Sequence, residues 1–327
     1  MIYSQEVVEN GRNGIVHVGV IGAGVAASFH VTALKRLVNI KIFIYDIQYE
    51  QACNLSRKFG CIPVANFEAL MNIVDAIIVA TPSKSHCEIV LDAVQQGKHI
   101  LCEKPMASNL KDALRMYDEY RSSNLVCAIG FNYRFLGISN VLKGSKLIGH
   151  IQSIKIVIKR LFREEEHWKG ESVLSDLGIH LIDYVMFVSD SPIDYDTCIV
   201  NFKRNNNVDY YSSVKGYTYN RLRFDISMSR VESADDVFFA IEVDGIDGHL
   251  VYESHSPNVY TIDDSEGNTV YALSTPPLNN DFFNFAESIY CQDKDWIGLI
   301  CGQTSSSIAS FYHGMIAQEA LDYFLTL

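Results

Sequence analysis

Two short segments hold side chains suited to proton transfer at a carbon–oxygen bond. Lys104 directly follows an apolar run and precedes a proline, an unusual place for a solvated surface lysine. Further along, Asp176 and His180 are four residues apart and share one face if their segment is helical. A histidine accepts a hydroxyl proton near neutral pH, and a neighbouring ammonium stabilises developing alkoxide charge. These residues predict acid–base chemistry on an alcohol or ketone. The structural alternatives are a surface lysine, a helix N-cap and a packed core histidine.

A glycine-rich turn near the start of the chain predicts a dinucleotide site. The apolar run Ile15–Ile21 leads into a segment that fits the pattern G-x-G-x-x-A, namely Gly22, Ala23, Gly24, Val25, Ala26 and Ala27. In this pattern Gly22 permits a tight turn, Gly24 lets the backbone approach a pyrophosphate, and Ala27 lets the helix pack against the strand. The N-terminus of that helix then offers free N–H groups to the phosphates.

Asp46 ends the second apolar run, 22 residues after Gly24. A carboxylate at this position accepts hydrogen bonds from the adenosine ribose and repels a 2′-phosphate. The next residues, Ile47, Gln48 and Tyr49, offer no cation to such a phosphate. The pattern therefore favours NAD(H) over NADP(H). The alternative is that Asp46 only caps the following helix.

The elements that must position these groups alternate over residues 15–131. The predicted strands are Val16–Ile21, Ile40–Tyr45, Ala76–Ala80, His99–Cys102 and Val126–Ile129. The predicted helices are Val25–Leu37, Glu50–Phe59, His86–Gln96 and Leu110–Tyr120. Continuous apolar strands separated by helices predict an α/β Rossmann domain with a doubly wound parallel sheet.

In residues 132–327 strand patterns follow one another without intervening helices. This order predicts an α+β domain with a large, mostly antiparallel open sheet. The predicted strands are Ile151–Lys159, Ile193–Phe202, Arg221–Met228, Val237–Val243 and Leu250–Glu253. Helical patterns cover about 175–188 and 305–325. Residues 1–14 form a polar N-terminal extension. One sheet face is expected to be apolar and uncovered, which predicts a homodimer or homotetramer through that sheet.

Bulk composition narrows the class of protein. Hydrophobic residues make up 48% and charged residues 20%, a balance typical of a globular protein. The net charge of -12 disfavours nucleic acid and anionic membranes as partners.

The eight cysteines are scattered without a C-x-x-C pair, so no metal site is predicted and reduced thiols are expected. The start of the chain lacks a signal-peptide pattern, and no apolar run is long enough to span a bilayer, so we expect a cytoplasmic protein.

Several motifs together resemble the glucose–fructose oxidoreductase / inositol dehydrogenase / MocA-like (Gfo/Idh/MocA) family. Besides the glycine turn, they are Thr81-Pro82-x-x-x-His86, the Glu103-Lys104-Pro105 end of an apolar strand, Asn132-Tyr133-Arg134, and the segment Leu174–Asp183. The resemblance covers nearly the whole chain from Ile15. It implies that Lys104 lies beside the nicotinamide and the reacting carbon–oxygen bond. It further implies that Asp176 and His180 complete the catalytic group, and that a cis peptide commonly precedes Pro105.

The expected site residues fall into three sets. The catalytic set is Lys104, Asp176 and His180. The cofactor set is Gly22, Gly24, Val25, Ala26, Ala27, Asp46, Thr81, Pro82, His86, Glu103 and Lys104. The substrate set is Lys104, Arg134, Arg163, Trp168, Asp176 and His180. His30 is expected to pack, and Asp183 to be structural.

The resemblance implies an NAD(H)-dependent oxidoreductase acting on a secondary alcohol or ketone of a sugar, cyclitol or nucleotide-linked sugar. His180 is the expected acid/base, and Lys104 is expected to polarise the reacting oxygen. Asp176 is expected to orient the imidazole or to bind a substrate hydroxyl. Two alternatives stay open: an NAD-dependent glycosidase that uses transient oxidation and elimination, and a non-catalytic, dinucleotide-responsive regulator. Retention of all three acid–base residues argues against the regulator.

Overall fold

The computed structural model describes residues 14–144, 147–161, 172–205, 208–256, 259–273 and 285–327 of the 327-residue chain. The strands are β1 (Val16–Ile21), β2 (Ile40–Tyr45), β3 (Ile62–Pro63), β4 (Ala76–Val79), β5 (His99–Cys102), β6 (Cys127–Ile129), β7 (Ile151–Leu161), β8 (Ile193–Asn205), β9 (Val208–Thr218), β10 (Arg223–Val231), β11 (Phe238–Gly245), β12 (Gly248–Glu253), β13 (Val259–Asp264), β14 (Gly267–Ala272) and β15 (Ala309–Ser310). The α-helices are α1 (Val25–Leu34), α2 (Tyr49–Phe59), α3 (Phe67–Ile73), α4 (His86–Gln95), α5 (Leu110–Tyr120), α6 (Gly137–Gly144), α7 (Ile179–Ser189), α8 (Phe285–Ile300) and α9 (Phe311–Thr326). A π-helical turn at Leu174–Gly178 precedes α7. Among the helices of these residues, none has both the length and the apolar character that a bilayer crossing requires.

The described chain forms two compact units. The first contains the described residues up to Asn132 together with Ala286–Gln318, and the second contains those of Tyr133–Phe285 together with Glu319–Leu327. The prediction from sequence order placed 286–318 in the second domain, and the structure differs here. The reason is packing, because Trp296 and Ile297 of α8 are buried in the same apolar cluster as the central strands of the first unit.

The first unit has the predicted Rossmann architecture. Its sheet order is β3-β2-β1-β4-β5-β6-β15, with β1 to β6 parallel and β15 antiparallel to β6. Apolar side chains cover both faces: β4 is buried throughout, and β1 nearly so. The strand order changes direction between β1 and β4. In such sheets a ligand binds beyond the carboxyl ends of the strands at this point.

The second unit is the predicted α+β domain. Its sheet order is β14-β13-β12-β11-β7-β10-β9-β8, and every pair is antiparallel except β7 with β10. The inner face of β7 and β10 is apolar and packs against α7 and the π-helical turn. Helix α7 is buried along almost its whole length. This packing holds the predicted acid–base segment against the sheet.

The outer face of this sheet is more polar than its sequence predicts. Lys155 pairs with Glu242 at 2.8 Å, and Lys215 with Asp225 at 2.8 Å, across neighbouring strands. Both pairs are partly exposed, so each contributes little to stability. The ion pairs make the outer face polar at β7, β9, β10 and β11. Assembly through it stays a prediction.

A buried ion network joins three elements of the first unit. His30 of α1 is fully buried, and its Nδ1 lies 2.9 and 3.0 Å from the two carboxylate oxygens of Asp293 in α8. Its Nε2 lies 3.0 Å from Oε1 of Glu103, which directly follows β5. Asp293 is also fully buried, whereas the side chain of Glu103 is 17% exposed. The network ties the residue before Lys104 to the helix after the glycine turn.

The geometry of this network favours a doubly protonated imidazole. Ionised carboxylates only accept hydrogen bonds, and each ring nitrogen of His30 faces a carboxyl group, so a proton on both nitrogens satisfies both contacts. Burial raises the pKa of the Asp293 carboxyl, and the charge of His30 opposes this rise. Burial by itself lowers the pKa of His30, but Asp293 and Glu103 together raise it to about 10. Burial also opposes ionisation of Glu103, yet His30 and Lys104 lower the pKa of its carboxyl. His30 is thus more than the packing residue that its sequence position suggests.

We predict that the stabilising contribution of His30 decreases as the pH rises into the alkaline range. A pKa raised from 6.5 to about 10 in the folded state adds stability that is complete below 6.5 and is lost as the pH rises through 10. Between these limits the contribution falls by up to about 1.4 kcal/mol per pH unit. Urea unfolding of the wild type and of His30→Gln at several pH values should show their difference narrowing above about pH 7.5.

The matched control is His150→Gln, which removes an exposed imidazole. Its difference from the wild type should stay constant over the same range. A His30→Gln difference that is equally constant would mean that the buried imidazole is not protonated.

Candidate active site

The glycine turn leaves room for a pyrophosphate at the start of α1. Gly22 has φ +99°, and a Cβ there would lie 2.5 Å from the carbonyl oxygen of Ala80, so only glycine fits. At Gly24 a Cβ would meet no atom within 4 Å. Gly24 is the N-cap of α1 and supplies no side-chain cap. The first N–H groups of the helix are therefore not capped by a side chain of Gly24, and such groups bind a dinucleotide phosphate.

Asp46 connects the glycine turn to the end of β2. Its Oδ2 accepts the N–H of Ala23 at 2.9 Å, and its Oδ1 accepts the N–H of Gln48 at 2.8 Å. Each carboxylate oxygen has a further lone pair, so both stay able to accept hydrogen bonds from a ribose. Ile47 beside it is 89% exposed and carries no charge. The residues present fit an NAD ribose.

The Glu103-Lys104-Pro105 turn follows β5 at the carboxyl edge of the sheet. Oε2 of Glu103 accepts the N–H of Lys104 at 3.0 Å, while Oε1 faces His30. The Lys104–Pro105 peptide is cis, as the family resemblance implies. Gly130 makes room for this arrangement, since a Cβ there would lie 3.3 Å from the carboxylate of Glu103. The contact with His30 thus holds the carboxylate of Glu103 in place, and the other oxygen of that carboxylate holds the backbone N–H of Lys104.

His86 connects two turns at the same edge. Its Nε2 lies 2.8 Å from the carbonyl oxygen of Thr81, and its Nδ1 lies 3.1 Å from that of Pro105. The side chain is buried, and burial lowers the pKa of His86 although the two carbonyls oppose this. Both ring nitrogens thus face backbone carbonyls, and a neutral imidazole donates to one of them. His86 positions the Thr81-Pro82 turn and the lysine turn.

In the second unit Asp176 and His180 lie in a single buried segment. They are 6% and 5% exposed. The sequence predicts an α-helix from about Ser175, but residues 174–178 form a π-helical turn and α7 begins at Ile179. The turn packs closely on β10, where a Cβ on Gly178 would lie 2.9 Å from the sulfur of Met228. π-Helical turns of this kind occur frequently at functional sites.

Tyr133 fixes the plane of the His180 ring. The two rings stack with centroids 4.4 Å apart and an interplanar angle of 9°. Phe239 packs edge-on against Tyr133, with the two ring centroids 5.8 Å apart. The stack leaves the imidazole little freedom to rotate, which suits a group that transfers a proton in one direction.

Arg134 differs from its predicted substrate role. Its Nε and Nη2 donate to the carboxylate of Asp183 at 2.8 and 2.5 Å, and both side chains are buried. The guanidinium also lies over the ring of Phe187. This bidentate pair stabilises the second unit and uses two of the arginine's five N–H donors. The other two predicted substrate residues, Arg163 and Trp168, lie outside the described residues.

Two of the positioning residues, one in each unit, carry no clear sequence signal. Nothing in the sequence pattern singles out Asp293, because it lies in α8, far along the chain from the sheet that it supports. Tyr133 belongs to the Asn132-Tyr133-Arg134 motif, but a stacked partner for His180 follows only from the fold. The remaining predicted cofactor residues, Val25, Ala26 and Ala27, form the first turn of α1.

The sequence of the first unit matches a known family model. The model of the Gfo/Idh/MocA oxidoreductases, an oxidoreductase family with an NAD-binding Rossmann fold, matches residues 16–131. The similarity to one relative extends further. Glucose-6-phosphate 3-dehydrogenase of Bacillus subtilis (strain 168) is 33% identical over 337 aligned residues, covering 94% of this chain and 95% of the relative.

Two solved structures have the same fold over nearly their full length. Levoglucosan dehydrogenase in complex with NADH and levoglucosan matches with a TM-score of 0.84 at 18% identity, covering 95% of this chain and 96% of that chain. An oxidoreductase from Agrobacterium radiobacter in complex with NAD+, L-tartaric acid and magnesium matches with a TM-score of 0.83 at 19% identity, covering 94% of each chain. At these identities the likeness supports the fold alone.

The predicted resemblance is thereby confirmed in both units. The family model covers the nucleotide-binding unit, and the full-length relative carries the relationship through the segment of Asp176 and His180. The chain belongs to the Gfo/Idh/MocA family of NAD-binding oxidoreductases.

Proposed function

We propose that this protein oxidises a secondary hydroxyl of a sugar to a ketone with NAD, and catalyses the reverse reduction. The observation that carries the proposal is the presence, in one chain, of an NAD-type glycine turn, Lys104 at the end of β5, and the buried pair Asp176 and His180. Relatives support the substrate class, since two of them are named glucose-6-phosphate 3-dehydrogenase and levoglucosan dehydrogenase.

Each side chain has a defined task in this reaction. Bound NAD supplies the hydride acceptor for the alcohol carbon. His180, held in plane by Tyr133, takes the hydroxyl proton, and the ammonium of Lys104 stabilises negative charge on the same oxygen. Asp176 orients the imidazole or a neighbouring substrate hydroxyl. Glu103 and His30 keep the backbone of Lys104 in place.

The end of β2 supports a preference for NAD(H). In Rossmann domains a carboxylate in the position of Asp46 repels the 2′-phosphate of NADP, and Ile47 and Gln48 offer no cation to compensate. Two backbone N–H groups fix the orientation of that carboxylate. We propose NAD(H) as the working cofactor.

Removal of either acid–base group is expected to lower kcat strongly without loss of cofactor binding. His180→Gln should lower kcat by about 10²- to 10⁴-fold, and Lys104→Met by about 10²- to 10³-fold. The reason is that both groups act on the proton and charge of the reacting oxygen, whereas the glycine turn binds the dinucleotide. NADH formation at 340 nm measures turnover, and NADH fluorescence titration measures binding.

Lys111→Met and His150→Gln serve as controls, because both remove exposed side chains of the same two types. They should retain wild-type kcat. Unchanged turnover in Lys104→Met or His180→Gln would refute the assigned roles.

A second prediction concerns the dinucleotide. The double variant Asp46→Ser/Ile47→Arg replaces the repelling carboxylate and adds a guanidinium for the 2′-phosphate. The ratio of kcat/KM for NADP over NAD should rise on the order of 10-fold or more. Asp46→Ser/Ile47→Ser, which lacks the cation, should show a smaller rise. A double variant whose NADP preference does not exceed that of the wild type would show that Asp46 only braces the turn.

The stoichiometry of NADH separates dehydrogenation from the glycosidase alternative. A dehydrogenase forms one NADH for each ketone produced, whereas transient oxidation returns the hydride and releases a cleaved sugar without net NADH. We expect equal amounts of NADH and ketosugar, measured by absorbance and by chromatography. Free sugar released from a glycoside without NADH would favour the alternative.

A further inference from the structure

Arg230 lies at the end of the inner face of β10. The side chains of Phe224, Ile226 and Met228 on this strand are buried, and residues two apart on a strand point to the same face. Arg230 continues this series, so it belongs to the face on which the π-helical turn of residues 174–178 packs. Its side chain is only 8% exposed. A cation thus stands where the pattern of the strand predicts an apolar side chain.

One donor group of Arg230 has no acceptor in the part of the chain that the structure describes. Its Nη2 is buried without a hydrogen-bond partner there. Oδ2 of Asp176, with which it forms a long ion pair, is 3.9 Å away, and this distance is too great for a hydrogen bond. A buried donor without an acceptor is costly. The arrangement therefore favours an acceptor that arrives with a ligand.

Asp176 connects Arg230 to the residue proposed to transfer the proton. Asp176 belongs to the π-helical turn that leads directly into α7, whose second residue is His180. Burial raises the pKa of the Tyr133 phenol, the charge of Arg160 opposes this rise, and the charge of Asp176 adds to it. Tyr133 in turn stacks on His180. Arg230 and Asp176 are therefore part of the cluster that surrounds the acid–base histidine in the second unit.

A hydroxyl group has the chemistry that Arg230 and Asp176 together recognise. Its oxygen accepts a hydrogen bond from a guanidinium, and its proton is donated at the same time to a carboxylate. One oxygen can lie about 2.7–3.0 Å from both Nη2 and Oδ2, because these two atoms are 3.9 Å apart. An ionised carboxylate or phosphate only accepts hydrogen bonds, and beside Nη2 it would meet the negative charge of Asp176.

We propose that Nη2 of Arg230 and the carboxylate of Asp176 together bind one hydroxyl of the sugar, a hydroxyl other than the one that is oxidised. Arg230 is then a specificity-determining residue, because a sugar that lacks this hydroxyl leaves the buried guanidinium unpaired. The inference rests on the proposed function, since it assumes that the sugar binds at Asp176 and His180. Of the two tasks proposed for Asp176, it selects the binding of a substrate hydroxyl.

Deoxy sugars test the proposal in the wild-type enzyme. The panel consists of glucose, 2-deoxyglucose, 3-deoxyglucose and 4-deoxyglucose, each with NAD. An analogue that lacks the reacting hydroxyl forms no NADH. Among the analogues that do react, one should have a kcat/KM about 10- to 100-fold below that of glucose, because it lacks the hydroxyl bound by Arg230. Equal kcat/KM for glucose and every reacting analogue would overturn the proposal.

Arg230→Met shows whether this discrimination comes from the arginine. The variant keeps an apolar stem and removes the donors, so kcat/KM for glucose should fall by about 10- to 100-fold, mainly through KM. The discriminated analogue has no hydroxyl to lose, so the variant should oxidise it about as well as glucose. A merely structural role would lower kcat/KM equally for all sugars and leave the discrimination intact. That result would refute the site.

Arg223→Met is the matched control, because it removes an exposed arginine at an outward position of the same strand. It should discriminate among the deoxy sugars as the wild type does. If Arg230→Met does not fold, Arg230→Lys takes its place. Its ammonium retains the charge but lacks the planar fork, so the discrimination should be smaller than in the wild type. Discrimination equal to that of the wild type would then count against the site.

Calorimetric titration in the presence of NADH separates this inference from the proposed function. If the discriminated analogue binds the wild type more weakly than glucose, and Arg230→Met removes that difference, the hydroxyl site stands even without turnover, and the dehydrogenase alone is refuted. Turnover with undiminished discrimination in Arg230→Met refutes the hydroxyl site alone. Glucuronate that binds more tightly than glucose, with an advantage lost in Arg230→Met, would show that the arginine takes an anion instead. Absence of binding and turnover across the panel would refute both.

Discussion

A buried imidazole between two carboxylates determines how the cofactor-binding edge of the first unit is assembled. His30 extends from the helix that begins at the glycine turn, Glu103 follows the strand that ends at Lys104, and Asp293 comes from a helix late in the chain. Placing three ionised groups in an interior is costly unless each is paired. Here each carboxylate faces one ring nitrogen, so the network has a single satisfied arrangement. That arrangement specifies the relative positions of the helix dipole and the lysine turn, and only then can the glycine turn and Lys104 serve the same ligand.

The strands and helices of the first unit could be predicted from the sequence because apolar runs and helical periodicity are local features. Four of its predicted strands and helices, Val16–Ile21, Ile40–Tyr45, His99–Cys102 and Leu110–Tyr120, have the bounds observed in the structure. The short strand β3 and helix α3 carry too little periodicity to be predicted. Helix α8 is a different case, because its assignment to this unit depends on Trp296 packing against strands far away in sequence. Propensity and pattern carry no information about such a contact.

The second unit shows where pattern reasoning stops short. The spacing of Asp176 and His180 predicts one helical face, but the chain forms a π-helical turn at that point, which periodicity of 3.6 residues does not indicate. Arg134 is polar and close in sequence to the expected pocket, yet burial with Asp183 gives it a structural task. The type of a residue and its position in the sequence suggest whether it could take part in catalysis or binding. The partners that surround it in the fold decide whether it has that role or a structural one.

The alternation of β7 and β10 contains a signal that is readable once the register is known. From Ile154 in β7 and from Phe224 in β10 the inner face is occupied by apolar side chains until the last inward position, where an arginine takes their place. A charge on the apolar parity of a strand is costly unless something compensates for it, so it marks a functional position more reliably than a charge on the outer face. The outer face of the same strands illustrates the contrast, since its charges pair with each other in solvent.

This contrast also resolves the apparent conflict between a net charge of -12 and an anionic ligand. Charges on a solvated surface are screened beyond about 8–10 Å at physiological ionic strength, so the global excess acts weakly on a small ligand at close range. Inside the protein the effective dielectric constant is lower, and a few nearby hydrogen-bond donors outweigh many distant carboxylates. Net charge therefore argues against an extended polyanion such as nucleic acid, which meets the whole surface. It does not argue against a dinucleotide, whose phosphates would meet only the glycine turn and the start of α1.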